Sequence, residues 1–233
     1  MYPTIESSVH DIFYAKWQIT DGIKVPTTED IVMKNGGRRI EATYLYADLA
    51  GSSQLAHSML PETTATIVRA YINSASRIIR HYGGEIRSFD GDRVMAIYMG
   101  DDKSQKAVRS AFAINWAVEF PIKEAINKRW NDVSGEYSIS HGVGIDQGEA
   151  LIVRGGVRDN NDLISIGHAP NDAARLSDYR RSTINITQSV YEDLDQSLTL
   201  ASDGTKSMWS SSDGRAALGQ FARCHHSDYY WKP

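Results

Sequence analysis

The sequence predicts an α/β protein in which helices cover one face of a sheet. Three stretches carry that expectation. Glu41 to Leu49 is a β-prone run with apolar and polar residues in alternation. Pro61 opens a segment with a broad apolar helical face. Asp90-Gly91 lies between two apolar runs, a strong hairpin signal.

Residues 1–40 mix the aromatic Tyr2, Phe13, Tyr14 and Trp17 with charges, then reach Val25-Pro26-Thr27 and the turn Asn35-Gly36-Gly37. They read as an extension that caps one edge of the core, with a dimer-contacting arm as the alternative. In Glu41 to Leu49, alternation puts Thr43, Leu45 and Ala47 on one face and Tyr44, Tyr46 and Asp48 on the other. After Pro61, Ile67, Tyr71, Ser74 and Ile78 recur at helical spacing, as do Val68, Ile72, Ala75 and Ile79, and Gly83-Gly84 stops the helix. Strands 85–89 and 93–99 then flank the turn. A second helix follows Asp101-Asp102 with Ala107, Ala111, Ile114 and Val118 inward, and Pro121 limits or kinks it.

A third strand pair is expected from Tyr137 to Ile145 and from Gly148 to Val153, followed by a polar loop at Asp159 to Asp162. Leu163 to Ile166 reads as a short strand, Pro170 to Asp178 as a helix, Thr183 to Thr187 as a strand and Ser189 to Leu194 as a short helix. The tail from 195 to 233 is expected to add strands. The domain division is therefore 1–40, 41–194 and 195–233.

Composition excludes several classes of function. A net charge of -4 offers no whole-chain attraction to nucleic acid or membrane. The single cysteine, Cys224, permits no intrachain disulfide, so a reducing compartment is expected. Met1 to Ile12 does not read as a secretory signal, and no apolar run approaches the roughly 20 residues of a membrane span. A cytoplasmic location follows, with no nucleic-acid or membrane partner.

Three constellations could carry chemistry. Asp48 closes an apolar run and must be paired, ligated or exposed. Asp92 follows the hairpin turn, where acidic residues are common for structural reasons. If their strands are neighbours, the two supply oxygen ligands to a hard divalent cation. The turn Leu49, Ala50, Gly51, Ser52, Ser53 offers backbone N–H groups and hydroxyls to phosphate oxygens, although such a turn alone is usually only a loop, and no Walker lysine is present. Asn171 and Arg175, at i and i+4, would share one helix face, where an amide and a guanidinium can orient a sugar and stabilise a phosphoryl group; a merely solvated face is the plainer alternative.

In this order and spacing the pieces resemble the class III nucleotidyl cyclase catalytic domain over roughly Glu41 to Leu194. The matching motifs are Leu45 to Ser53, His81-Tyr82-Gly83-Gly84, Ser88 to Ala96, Gly142-Val143-Gly144-Ile145, and Ile166-Gly167 through Asn171 to Arg175-Leu176. The resemblance implies a ferredoxin-like domain with a mostly antiparallel sheet, working as a homodimer with active sites at the subunit interface. It implies that Asp48, Asp92 and the Leu49 carbonyl hold two Mg²⁺ or Mn²⁺ ions. It also implies that Asn171 and Arg175 from the other subunit orient the ribose and stabilise the transition state of cyclisation.

The departures concern the base. Where adenylate cyclases carry a lysine and an aspartate this chain has Ser88 and Ile164, and the guanylate pair is absent too. Tyr46 stands where the first strand touches the base, with Arg87 as a second candidate. A filled pocket with altered polar groups suits a smaller base, and the pattern is similar to the pyrimidine cyclases of Pycsar antiphage systems. The expected substrate is therefore UTP and the product cyclic UMP, with cytidylate, guanylate or adenylate cyclase activity, or an inactive nucleotide-binding domain, as alternatives.

Overall fold

The computed structural model describes residues 3–130, 138–157, 159–179, 181–219 and 222–233. The chain opens with α1 (Ile5–Tyr14) and β1 (Gln18–Asp21), followed after a 3-10 turn by the long strand β2 (Gly36–Ala50). Helices α2 (Ser52–Ser58) and α3 (Pro61–His81) lead to the hairpin β3 (Glu85–Asp90) and β4 (Arg93–Tyr98). Next come α4 (Lys103–Ala117), α5 (Lys123–Arg129), β5 (Ser140–Val157), β6 (Asn160–Ile166) and α6 (His168–Asp178). The chain finishes with β7 (Ile184–Thr187), α7 (Gln188–Glu192), α8 (Gln196–Thr199), β8 (Ser210–Asp213), α9 (Arg215–Leu218) and β9 (Arg223–Ser227).

The strands form one mixed sheet in the order β3-β4-β2-β5-β7-β9-β8, with β1 beside β2 and β6 beside β5. Of these contacts, β1–β2 and β5–β7 are parallel and the remainder antiparallel. The alternation read in the sequence sorts β2 between two cores. Leu45, Ala47 and Leu49 pack with Ile67, Tyr71 and Ile79 of α3 and with Val108, Phe112 and Ile114 of α4. Ile40, Ala42 and Tyr44 face the other way, into a second core with Met95, Ile97, Ala150, Ile152 and two alanines of α6, Ala169 and Ala173. The expected helical layer is thus α3 and α4, and α6 is added on the opposite face. Each large aliphatic side chain so buried contributes about 1.5–3 kcal/mol.

The approach of α6 depends on Gly144. A Cβ there would run into the Ala173 carbonyl oxygen and the Ser177 amide, so the absence of a side chain lets backbone pack on backbone.

Several expectations change. Tyr137, the first residue of the expected third strand pair, lies outside the described residues. From Ser140 onward that pair is one strand, β5, because β2 supplies a partner across the Gly148 position, from Gly37 opposite Val153 to Ala50 opposite Ser140. The turn-like signal at Gly148 is a residue with φ of 155° inside this strand. The Asp159–Asp162 loop is shorter than expected, since Asn160 already pairs with Val157. Pro121 lies inside a π turn, Val118–Ile122, which separates α4 from α5, so the α-helix is limited there as expected. No helix among the described residues is long and apolar enough to cross a membrane.

Candidate active site

Strand pairing brings the two carboxylates to one corner of the sheet. In the β2–β4 register Asp48 stands opposite Arg93, and Asp92 is the residue immediately before Arg93, in the turn of the β3–β4 hairpin. Strand β2 runs on through Leu49 and Ala50, past its last partner in β4, and turns at Gly51 into α2. Ser52 and Ser53 form the first turn of α2, where backbone N–H groups have no acceptor within the helix. The side chains and turn singled out from sequence are therefore consecutive pieces of a single corner.

Asp48 is only 8% exposed, and its Oδ1 accepts from Nε of Arg93 at 3.4 Å. The same guanidinium donates through Nη2 to Asp178 Oδ1 at 2.9 Å and Oδ2 at 3.1 Å, tying the last residue of α6 to this corner. Asp92 Oδ2 is buried with no hydrogen-bond partner. An unpartnered buried carboxylate oxygen costs stability, and beside a second carboxylate it is a donor set suited to a hard divalent cation. Asp48, Asp92 and the Leu49 carbonyl are the groups that would hold one.

Two of the positions expected to read the base, Ser88 and Tyr46, fall into a row. Ser88 is opposite Met95, Met95 is opposite Tyr46, and Tyr46 is opposite Gly144, so adjacent strands present them on one face. Burial raises the Tyr46 phenol above its ordinary value, while the nearby Arg93 charge opposes the shift. The β3–β4 register slips between Ile86 and Ser88, leaving Arg87 as an extra residue in the strand. It extends to Asp162 of β6, with Nη2 to Oδ1 at 3.4 Å. Ile164 is not drawn into the row. It is 51% exposed and lies against Gly155, whereas its neighbour Leu163 packs on the cluster containing Tyr44, Tyr46 and Met95.

Asn171 and Arg175 share the exposed side of α6, as their spacing predicts. Arg175 donates through Nη1 to the Leu218 carbonyl at 3.0 Å and has Asp172 Oδ1 at 4.0 Å. The contacts of Arg175 are thus with α9 and its own helix, away from the Asp48 corner.

Sequence reasoning assigned no role to Arg93, Asp178, Met95 or Asp146. Arg93 was visible as the residue after Asp92, but its partners depend on strand register and on the docking of α6. Asp146 is buried beneath that helix, and its Oδ1 accepts from Thr187 Oγ1 at 2.5 Å and from the Gln147 amide at 2.8 Å. Burial pushes its carboxyl up to about 6, against the pull of these two bonds, and the buried Asp172 adds like charge. No side chain in these constellations is placed as a covalent nucleophile with an adjoining base; the chemistry offered is charge, positioning and oxygen ligation.

No protein-family model matches the chain. It is 39% identical over 232 residues to a uridylate cyclase of Rhodovulum sp. (strain MB263), covering 98% of this chain and 96% of that one. The chain belongs to the uridylate cyclase family. A uridylate cyclase of Burkholderia cepacia is 38% identical over 195 residues, 83% of this cyclase and 84% of the relative. Among solved structures, the guanylyl cyclase Cya2 superposes with a TM-score of 0.68 over 84% of this chain and 96% of its own, at 19% identity. The adenylyl cyclase CyaB from P. aeruginosa gives 0.65 over 82% and 95%, also at 19% identity. The fold is that of a class III cyclase domain, and the protein is a nucleotidyl cyclase.

Proposed function

We propose that this cyclase converts UTP to 3′,5′-cyclic UMP and pyrophosphate, as a homodimer, with two divalent cations, Mn²⁺ or Mg²⁺, at the Asp48–Asp92 corner. The observation that carries the reading is the row Ser88, Met95, Tyr46 lying across the sheet next to that corner. A triphosphate held at Asp48 and Asp92 sets its base toward this row, where the Tyr46 ring takes up space that a purine would need. Arg87, carried by the bulge and paired with Asp162, offers guanidinium donors, and the two carbonyl oxygens of uracil are acceptors. A polar site that matches one base in this way rejects others strongly, because they leave its buried groups unpaired.

In the reaction the ribose 3′-hydroxyl gives up its proton to solvent, its oxygen bonds to the α-phosphorus, the bond from that phosphorus to the bridging oxygen of the β-phosphate breaks, and pyrophosphate departs with that oxygen. Divalent cations bound at this corner would polarise the attacking oxygen and neutralise the triphosphate. Asp48 and Asp92 supply the carboxylates that fix them. The turn Ala50 to Ser53 offers N–H groups to phosphate oxygens. Asn171 and Arg175, exposed on α6 with Arg175 turned to Leu218, serve the corner of a second copy. There Asn171 orients the ribose and Arg175 stabilises the charge that develops on the phosphoryl group. A cytoplasmic signalling role in antiphage defence fits a chain of this family with one buried cysteine.

The Asp92→Ala variant tests the corner. Saturating Mn²⁺ should raise the melting temperature of the wild type, equivalent to about 2–3 kcal/mol at 100 times the dissociation constant, and that rise should vanish in the variant. Cyclic UMP formation should fall by a factor of about 10³, the order expected for removing a main source of transition-state charge stabilisation. An unchanged metal response with unchanged turnover would remove Asp92 from the site.

A further inference from the structure

Helix α1 has an apolar face that none of the described residues buries. Ile5, Val9, Ile12 and Phe13 recur at i, i+4, i+7 and i+8, one face of a helix, and none of its residues is buried; Ile5 and Phe13 are each 80% exposed. Trp17 and Ile19 extend the exposed surface into β1. The helix is nevertheless fixed in place. Asn35, at the entry to β2, donates its side-chain amide to the Ile12 carbonyl at 2.9 Å and the Ala15 carbonyl at 2.7 Å, and β1 pairs with Gly36 to Arg39 of β2. An apolar stripe of this extent, tied to the sheet at one end, is characteristic of an interface, since monomers seldom expose more than a few hundred Å² of contiguous apolar surface.

We infer that α1 is an exchange arm that docks on a second copy of this chain and holds the dimer that completes the active site. The inference rests on the reading above, in which Asn171 and Arg175 act on the partner's corner. Helix α6 runs along β2 with its start near Ala150, which is opposite Ile40, and its end at Arg93, which is opposite Asp48. A two-fold axis that sets Asn171 of one copy against the Asp48 end of the other therefore makes the two β2 strands antiparallel. Helix α1 sits at the Gly36 end of its own β2, so the same axis carries it to the Asp48 end of the partner copy, beside the turn where α2 begins. The arm and the catalytic helix then clasp the same partner from the two ends of one strand.

Size and charge favour this occupant. Six large side chains, exposed by 40–80%, offer apolar area on the order of 100 Å² each, a large part of the roughly 800 Å² that each partner buries in a stable complex. The helix carries Glu6 and Asp11 and has no lysine or arginine, which does not suit an anionic lipid surface or nucleic acid.

The test uses the full chain with Ile12→Glu and Phe13→Glu together, changes that leave the cores intact because α1 contributes nothing to them. Light scattering should give twice 25.9 kDa for the wild type and a monomer for the variant. Turnover per chain at low protein concentration should fall at least about tenfold, as expected when hot-spot residues are lost, and recover as concentration rises. A variant that keeps the dimer mass would overturn the inference, as would wild-type binding to anionic vesicles that the variant loses without any change in mass. Because mass is read without nucleotide, the two readings fail separately. A dimer that depends on α1 in a chain that cyclises no nucleotide would support the docking surface and overturn the proposed function.

Discussion

At Asp146 burial and hydrogen bonding oppose each other, and burial prevails: the carboxyl is pushed from 3.8 to about 6. A carboxyl raised in the folded state favours folding when protonated, so the stability present in acid is lost as pH rises through about 6. The difference of two pH units corresponds to about 3 kcal/mol. Asp146→Asn keeps an acceptor for Thr187 and Gln147 and stays neutral. Its stability relative to wild type should therefore increase by up to about 3 kcal/mol between pH 4 and pH 7, measured by urea denaturation at the two pH values; a difference independent of pH would contradict the assignment. His226 works in the opposite direction in the same range. Its ring, bonded to Asn185 and Ser212, is held down to about 4 by burial, so its contribution is lost as pH falls from 6.5 toward 4. Wild-type stability is accordingly flatter with pH than either residue alone would make it.

At the scale of elements, the seat of α6 on β5 is set by a single absent side chain. Gly144→Ala puts a methyl group into the Ala173 carbonyl and the Ser177 amide, backbone atoms that cannot rotate aside. It should cost about 3 kcal/mol or more, the upper range for overpacking, and lower the urea midpoint; a midpoint within error of wild type would mean that α6 is not packed there. Motif Gly142 to Ile145 was legible in the sequence, but its reason was not, because a helix and a strand about 30 residues apart meet at Gly144. The same division runs through the molecule. Alternation in β2, the apolar face of α3 and the Asp90-Gly91 turn are local signals, and they were readable. The continuity of β5 was hidden because Gly148 resembles a turn until β2 is known to pair along it. The Asp48–Arg93–Asp178 chain of contacts was hidden because it joins three elements distant in sequence, and the extra residue at Arg87 because a bulge is defined only against its partner strand.

Across the whole molecule, the sheet gathers Asp48, Asp92, the turn into α2 and the Ser88–Met95–Tyr46 row at one end of β2, and leaves Asn171 and Arg175 exposed on α6. In the proposed two-fold assembly Asn171 and Arg175 serve the partner's corner, and α1, at the other end of β2, holds that partner. The proposed function is narrower: the Asp48–Asp92 corner would be joined to a row that admits a pyrimidine and selects uracil. The most direct test is to incubate the purified chain with ATP, GTP, CTP and UTP in equal amounts with Mn²⁺ and to quantify the four cyclic nucleotides by mass spectrometry. The account predicts cyclic UMP as the main product, and a main product of cyclic AMP or cyclic GMP would contradict it.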